Sequence, residues 1–303
     1  RDVGLVLTGP GLAGKGWLVL GDHERALSAL VGETEDLLRT SAYADVLART
    51  RSLGAEPDRQ HYYGVRLENA RCLALEYLTR LDEASACFEW TTRALADLGE
   101  TLERISTQQN YAQVEVERGQ FAHAESLAAD AFAAISDAQW DSVEGPDIPI
   151  VRGRVARLLS DLSLRKGDIP ESLRHSQRAL AYFNQAHDLR WQANTLLRIG
   201  ATYKDIGAYA DAMDAVNAAV QRLSPRDAPA RIAMAELEKA RIVFAEGDMQ
   251  QAIVHAAGAR STFESLRMPA DAAAAGLTIA GAKLALGQPA DARATLDSLN
   301  GVP

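Results

Sequence analysis

The 303-residue sequence is 47% apolar and 24% charged, a composition typical of a globular protein with enough apolar material for a core. Its 41 acidic and 32 basic residues give a net charge of −9, which disfavours direct contact with nucleic acid or an anionic membrane. It has no run of about 20 apolar residues, so we expect no membrane-spanning helix.

The first element of the chain raises the possibility of a nucleotide site. Residues 9–15 read Gly-x-x-x-x-Gly-Lys, which is most of a phosphate-binding loop, and the apolar stretch "VGLVL" precedes it as a strand would. However, Gly16 stands where such a loop needs Ser or Thr to hold magnesium. The sequence that follows also predicts helical hairpins rather than an α/β domain. We therefore interpret this segment as a first helix beginning near Pro10, and we expect no cofactor.

A turn motif recurs along the rest of the chain. It is seen in "LGDHERAL", "RGQFAHAE", "KGDIPESL", "IGAYADAM", "EGDMQQAI" and "LGQPADAR". The turn glycines are Gly21, Gly119, Gly167, Gly207, Gly247 and Gly287, and the last four are 40 residues apart. Another turn, "LTRLDEAS", lies 40 residues before Gly119 and has Thr79 in place of the glycine. Glycine suits such a turn because a Cβ disfavours its backbone conformation.

Small residues flank every turn at fixed distances. Five residues after the turn position stand Ala26, Ala84, Ala124, Ser172, Ala212, Ala252 and Ala292. Seven residues before it stand Gly14, Cys72, Ala112, Ser160, Gly200, Ala240 and Ala280. Helix axes pack about 8–10 Å apart, and the closest approach requires small side chains where two helices cross. The pattern therefore predicts pairs of helices joined by a tight turn.

One repeat carries a recognisable set of residues. These are Leu196, Ile199, Gly200, Tyr203, Gly207, Tyr209, Ala212 and Ala219. The set resembles the tetratricopeptide repeat (TPR), although the period here is 40 residues rather than about 34. Longer repeats of this kind are similar to those of bacterial regulators. The resemblance covers almost the whole chain and implies an all-α fold, a right-handed α-solenoid (superhelix) of about seven TPR-like helical hairpins.

The register also predicts how the chain is organised. We expect one solenoid domain over 1–303, with hairpins at roughly 7–40, 60–98, 101–137, 148–186, 189–223, 228–267 and 269–300. Residues 41–60 are extra and predict an additional short helix and loop, and residues 139–149 predict a longer linker. Because the sequence begins with Arg1 rather than Met, we expect it to be part of a longer protein.

The resemblance implies that partners bind in a concave groove lined by the first helix of each hairpin. Asn and Gln can pair with a peptide backbone, and Arg can fork onto a carboxylate. The candidate partner-binding residues are Arg66, Asn69, Gln109, Gln113, Arg154, Arg157, Asp161, Asn194, Arg198 and Arg241. In the last two repeats the equivalent positions turn apolar, as at Met234 and Leu277. That end is either a hydrophobic pocket or a surface covered by further chain.

Nothing in the sequence indicates an enzyme. The six histidines are scattered without metal-ligand spacing, and there is no nucleophile-elbow motif, so we expect no catalytic, cofactor-binding or metal residues. The two cysteines, Cys72 and Cys87, are too few for a disulfide framework. They favour a reducing, cytoplasmic location, with Cys72 as a core residue at a crossing point.

The sequence therefore predicts a non-enzymatic scaffold that binds a protein or peptide in its groove. The alternative is a sensor or regulatory arm of a larger bacterial signalling protein that binds an effector or its own missing domains. The repeats resemble those of ATPase-coupled transcription regulators and of caspase-like peptidases of the CHAT type. Because the last hairpin has no obvious polar capping helix, a homodimer through the C-terminal hairpin is a further expectation. We expect no direct contact with nucleic acid or membrane.

Overall fold

The computed structural model describes residues 23–40, 42–51, 61–136, 139–140, 147–224 and 228–299. Within these ranges the regular secondary structure is helical, with fourteen α-helices and no strand. They are α1 His23–Arg39, α2 Tyr43–Arg51, α3 Tyr62–Tyr77, α4 Leu81–Asp97, α5 Thr101–Glu117, α6 Phe121–Ile135, α7 Asp147–Arg165, α8 Ile169–Gln185, α9 Leu189–Asp205, α10 Tyr209–Val220, α11 Pro229–Glu246, α12 Met249–Ser265, α13 Pro269–Ala285 and α14 Pro289–Asp297.

The chain divides into two compact units, residues 1–144 and 145–303. The division falls inside the segment 139–149 that the sequence marks as a linker. Unit 1 contains α1 to α6, in which α3 packs on α4 and α5 packs on α6. Unit 2 contains α7 to α14 as four successive antiparallel pairs. A single domain over 1–303 stays a prediction.

The turns between paired helices have the backbone conformation that the sequence predicts. Gly167, between α7 and α8, has a φ of 77°, which is in the left-handed region that glycine reaches without strain. Thr79, which replaces the glycine between α3 and α4, adopts the same region with a φ of 57°. Its backbone N–H donates to the carbonyl of Glu76 at 2.8 Å, closing the turn as the Gly167 N–H does onto Leu164 at 3.0 Å. Gly21 lies outside the described residues.

The small residues of the register lie where paired helices cross. On the first helices Cys72, Ala112, Ser160, Gly200, Ala240 and Ala280 are buried, and so are their counterparts Ala26, Ala84, Ala124, Ser172, Ala212, Ala252 and Ala292. In the α7–α8 pair the two positions touch directly, since Ser160 Oγ is 3.0 Å from Ser172 Oγ. The crossing-point prediction is confirmed for the described repeats, while Gly14 lies outside them.

The cysteine prediction requires correction. Cys72 of α3 is buried at its crossing point as expected, but a disulfide bond joins it to Cys87 of α4. Close packing of the two helices brings the side chains together, and the sequence separation of 15 residues gave no sign of this. The inference of a reducing compartment from these cysteines therefore loses its support.

The extra segment after the first repeat contributes to the core of unit 1. Helix α2 supplies Val46 and Leu47, which pack in one cluster with Leu75 and Phe88. The short helix expected within 41–60 is thus present, and it covers the α3–α4 pair. The loop expected after it, at 52–60, and the first helix expected near Pro10 both lie outside the described residues.

A buried carboxylate ties three helices of unit 1 together. Glu115 of α5 is 1% exposed and receives hydrogen bonds from Arg118 at 2.7 Å and from His123 of α6 at 2.9 Å. Arg118 also contacts Asp82 of α4 at 2.9 Å and Ser85 at 3.0 Å. Burial alone raises the pKa of Glu115, but hydrogen bonds from Ser85, Arg118 and His123 outweigh it and hold the pKa below its ordinary value.

This network predicts a pH dependence of stability. The pKa of Glu115 is lower in the folded protein than in the unfolded chain. The stabilisation that ionised Glu115 contributes is therefore complete above its pKa in the unfolded chain, and it is lost as the pH falls through its pKa in the folded protein. We expect Glu115→Gln to lower the free energy of unfolding at neutral pH by about 1.5 kcal/mol. This difference in the free energy of unfolding between the wild type and the variant should shrink below about pH 4. Urea titrations at several pH values measure it, with exposed Glu117→Gln as control. An equal loss at every pH would contradict the assignment.

Candidate functional site

The first helices of unit 2 form a row. Helix α9 packs on α11, and α11 packs on α13. Helix α7 joins α9 through an ion pair between Asp161 and Arg198. We call α7, α9, α11 and α13 the first-helix row. The first-helix row carries the candidate residues of the last four repeats, because the register puts each candidate residue at a fixed spacing from the crossing residue of one of these helices.

Three of the predicted residues come together at one point of this row. Arg157 Nη1 lies 3.4 Å from Oδ2 of Asp161, one helical turn along α7, and Arg198 of α9 pairs with Oδ1 of the same carboxylate. The side chains of Arg157 and Asp161 are 17% and 13% exposed. We call Arg157, Asp161 and Arg198 the Asp161 cluster. Two guanidinium groups share one carboxylate, and Arg157 makes further interactions within the chain.

Local structure fixes the position of Arg157. Helix α9 begins with Asp188 as its N-cap, whose carboxylate accepts the backbone N–H of Trp191 at 3.0 Å. The Trp191 ring stacks on Phe183 of α8 with centroids 5.4 Å apart. The guanidinium carbon of Arg157 lies 5.4 Å from the centroid of the Trp191 ring, within the range of a cation–π contact. The arginine is thus held between an aromatic face and Asp161.

The electrostatics of the cluster favour a second anion. Burial and the neighbouring Arg157 charge lower the pKa of Arg198 to about 10, so Arg198 remains charged at neutral pH. The Nε of Arg198 is also buried, and among the described residues it has no hydrogen-bond partner. A further carboxylate placed here would relieve the repulsion between the two guanidinium groups and accept charge-assisted hydrogen bonds.

The other candidates on this row are placed as follows. Arg154 and Asn194 are half-buried, and Arg154 makes interactions within the chain. Arg241 is more open, with 41% of its side chain exposed, and it pairs with Glu238 on the same helix. Their positions agree with a partly solvated surface on α7, α9 and α11.

In unit 1, Arg66 is engaged by the fold itself. It pairs with Glu35 of α1 and lies 3.6 Å from Glu103 of α5, so it links three helices. Glu103 also accepts the hydroxyl of Tyr62 at 2.5 Å, and burial followed by this hydrogen bond raises the pKa of Tyr62 to about 12. With two carboxylates already in contact, Arg66 has less capacity for a partner than Arg198.

The amide candidates of unit 1 are more buried than the sequence suggests. Gln109 is 2% exposed, and its Oε1 is buried without a hydrogen-bond partner among the described residues. The same holds for Oδ1 of Asn69 and for Oε1 of Gln113, whose Nε2 donates to Glu117 at 3.4 Å. Gln109 is buried as a whole residue, whereas Asn69 and Gln113 are half-buried.

A cleft of about 440 Å³ lies at the far end of the first-helix row. Its lining includes Lys204, Arg241, Phe244, Ala274, Leu277 and Gly281. Arg241 and Leu277 stand at positions that the register marks, whereas Lys204 and Phe244 were not predicted from the sequence. Each follows a register position by three residues, which places it one turn along the same helical face. That spacing was the signal that could have found them.

Comparison with known proteins decides the fold. No family model matches the sequence, and no curated protein matches it. Solved structures do match. A STAND signal-transduction ATPase from Pyrococcus horikoshii with a tetratricopeptide-repeat sensor superposes with a TM-score of 0.66 at 13% identity, over 96% of this chain and 43% of that one. A putative kinesin light chain from Podosopora anserina with TPR-like repeats has a TM-score of 0.52 at 18% identity, over 66% and 95%. The fold is that of the tetratricopeptide repeats.

A further TPR-like neighbour is known with its partner. A Rap protein in complex with Competence and Sporulation Factor has a TM-score of 0.62 at 13% identity, over 91% of this chain and 75% of that one. At such low identity the likeness concerns the fold alone. This chain is therefore an all-α TPR-like solenoid, and its site must be argued from its own residues.

In the described part of the chain, no group of three or more His, Cys, Asp or Glu side chains is arranged to hold a metal ion. Over the same residues, every helix is too short or too polar to cross a bilayer.

Proposed function

We propose that this TPR solenoid is a non-enzymatic scaffold that binds a protein or peptide segment along the first-helix row of unit 2. The observation that carries the proposal is the Asp161 cluster, where Arg157 and Arg198 share a single carboxylate. Arg198 is largely desolvated and its buried Nε has no hydrogen-bond partner among the described residues, so its charge attracts a further anion. In a protein of net charge −9 such a site is distinctive.

The ligand chemistry follows from the geometry of the cluster. Planar guanidinium groups bind carboxylates through paired hydrogen bonds, so an Asp or Glu side chain of the bound segment suits the site. Asn194 on the same helix as Arg198 offers an amide that can donate to and accept from a peptide backbone. The bound segment is therefore an acidic one, held by its side chain at one point and by its backbone beside it.

A second candidate function is that of a sensor arm within a larger signalling protein. The STAND ATPase match favours it, because that protein carries a TPR sensor and this chain corresponds to 43% of its length. In this case the first-helix row binds an effector or another domain of the same protein. Both functions use the same surface, and the identity of the captured partner distinguishes them.

Capture from a lysate of the source cell tests the proposal. The baits are the wild-type chain, Arg157→Gln/Arg198→Gln and Asp161→Asn. We expect a protein held by the wild type to be lost with the double variant, because the cations that attract it are gone. Asp161→Asn, which removes the negative charge that the two arginines share, should retain at least as much.

The control variant reverses the charge of two arginines on α8, the second helix of the same hairpin. Arg174 and Arg178 of α8 are exposed, so Arg174→Glu/Arg178→Glu alters the net charge more strongly without touching the row. Capture that survives in the double Gln variant, or that is lost equally in the α8 control, would overturn the assignment. Circular dichroism on each bait establishes that it is folded.

A further inference from the structure

The α13–α14 pair leaves open a face that the preceding pair has covered. The 40-residue register relates Leu284 of α13 to Phe244 of α11, and Leu296 of α14 to Ala256 of α12. Ala256 is buried in one cluster with Ile279 of α13, and Phe244 packs in a cluster that the same helix completes. These two positions therefore face the next hairpin. At the same positions of the α13–α14 pair, Leu284 is 62% exposed and Leu296 is 43% exposed. We call this surface of α13 and α14 the open face.

The open face also carries charges of both signs. Arg293 and Asp297 of α14 are exposed and stand one helical turn apart, on the side of the helix that carries Leu296. Among the described residues, neither side chain makes an ion pair or a hydrogen bond. Arg293 has the register position of Ile253, which packs against the cluster of Ala256 in the covered pair. The charges therefore lie at the edge of the exposed leucines.

We propose that the open face pairs with the open face of a second copy of this chain, with the two α14 helices antiparallel. A two-fold axis sets residue i of one copy against residue j of the other, and j against i. With the axis near Thr295, Arg293 of each copy meets Asp297 of the other. One cation and one anion a turn apart on a helix are thus complementary to themselves, which favours an identical copy as the occupant. Burial of Leu284 and Leu296 drives the association, and the two ion pairs fix its register.

Sedimentation velocity on the purified chain over a concentration series tests the pairing. We expect a reversible equilibrium between monomer and dimer. Leu296→Glu should raise the Kd of the dimer by about tenfold or more, because it places a charge among the leucines that the dimer buries. Val254→Glu on α12 is the matched control, since Val254 is 64% exposed and lies outside the open face. It should leave Kd within about twofold.

A charge swap tests the two-fold arrangement itself. Arg293→Asp brings only acidic side chains together across the axis, and it should raise Kd by about tenfold. Arg293→Asp/Asp297→Arg restores opposite charges across the axis, so it should return Kd to within about threefold of the wild-type value. All of these positions are exposed, so the variants keep the core intact, and circular dichroism checks that they are folded.

Three results would overturn the proposal. They are a wild-type chain that stays monomeric at every concentration, a dimer that Leu296→Glu leaves intact, and a dimer that Arg293→Asp weakens but the charge swap does not restore. The measurements use the purified chain alone, and the Asp161 cluster lies on α7 and α9. The outcome is therefore independent of whether the first-helix row binds a partner.

Discussion

Gly200→Val is expected to destabilise unit 2 by about 3 kcal/mol. Gly200 is the buried crossing residue of the α9–α10 pair. A Cβ at this position would lie 2.8 Å from Val216 Cγ2 and 3.1 Å from the backbone oxygen of Ala212. The side chain of Val216 is enclosed in the core, and the backbone of α10 cannot move without parting the helices, so the clash is not relieved locally.

Gly258→Val is the matched control for this experiment. It places the same side chain on a helix, but in open space. We expect a change of less than about 0.5 kcal/mol, with helix propensity slightly favouring valine over glycine. Denaturant unfolding of both variants measures the difference. Similar stabilities for the two would show that α9 and α10 do not cross at Gly200.

Removal of the disulfide bond is expected to cost about 3 kcal/mol in the free energy of unfolding of unit 1. The bond joins Cys72 to Cys87 and closes a loop of 15 residues in the unfolded chain. Its loss increases the conformational entropy of the unfolded state by an amount that corresponds to this free energy. Cys72→Ala/Cys87→Ala isolates the effect, because alanine occupies the crossing position in other repeats, as at Ala112.

Reducing agent provides the control for the disulfide. Wild-type protein in reductant should lose about as much stability as the double alanine variant, and the variant itself should be insensitive to reductant. Alkylation and mass spectrometry of the oxidised protein should find neither thiol accessible. Two alkylated thiols in the unreduced protein, or equal stability with and without reductant, would contradict the bond.

Much of the fold was predictable because the repeat encodes it locally. A residue with positive φ closes each described turn of the register, and the fixed spacing identified Thr79 as such a residue although it is not glycine. The small residues identified where helices cross. By contrast, the Cys72–Cys87 bond depends on how two helix faces meet, and neither composition nor spacing shows that.

The site was predictable only in part, for a related reason. The register placed Arg157 and Asp161 on one face, and the structure joins them to Arg198. The register could not show that Arg66 is already paired with Glu35 and close to Glu103, because these carboxylates come from two neighbouring helices. The position of a residue within a repeat determines which face of its helix the residue occupies. The partners of its side chain depend instead on how the neighbouring helices pack against that face.

Site-specific photo-cross-linking tests the central claim, that a partner lies on the first-helix row, most directly. A photoreactive amino acid replaces Leu277 of α13 in one variant and Val254 of α12 in the other. These apolar residues are similarly exposed, at 57% and 64%, but lie on first and second helices respectively. Irradiation in cell lysate should link a partner to position 277 and not to position 254. Cross-links from position 254 alone, or equally from both, would contradict the account.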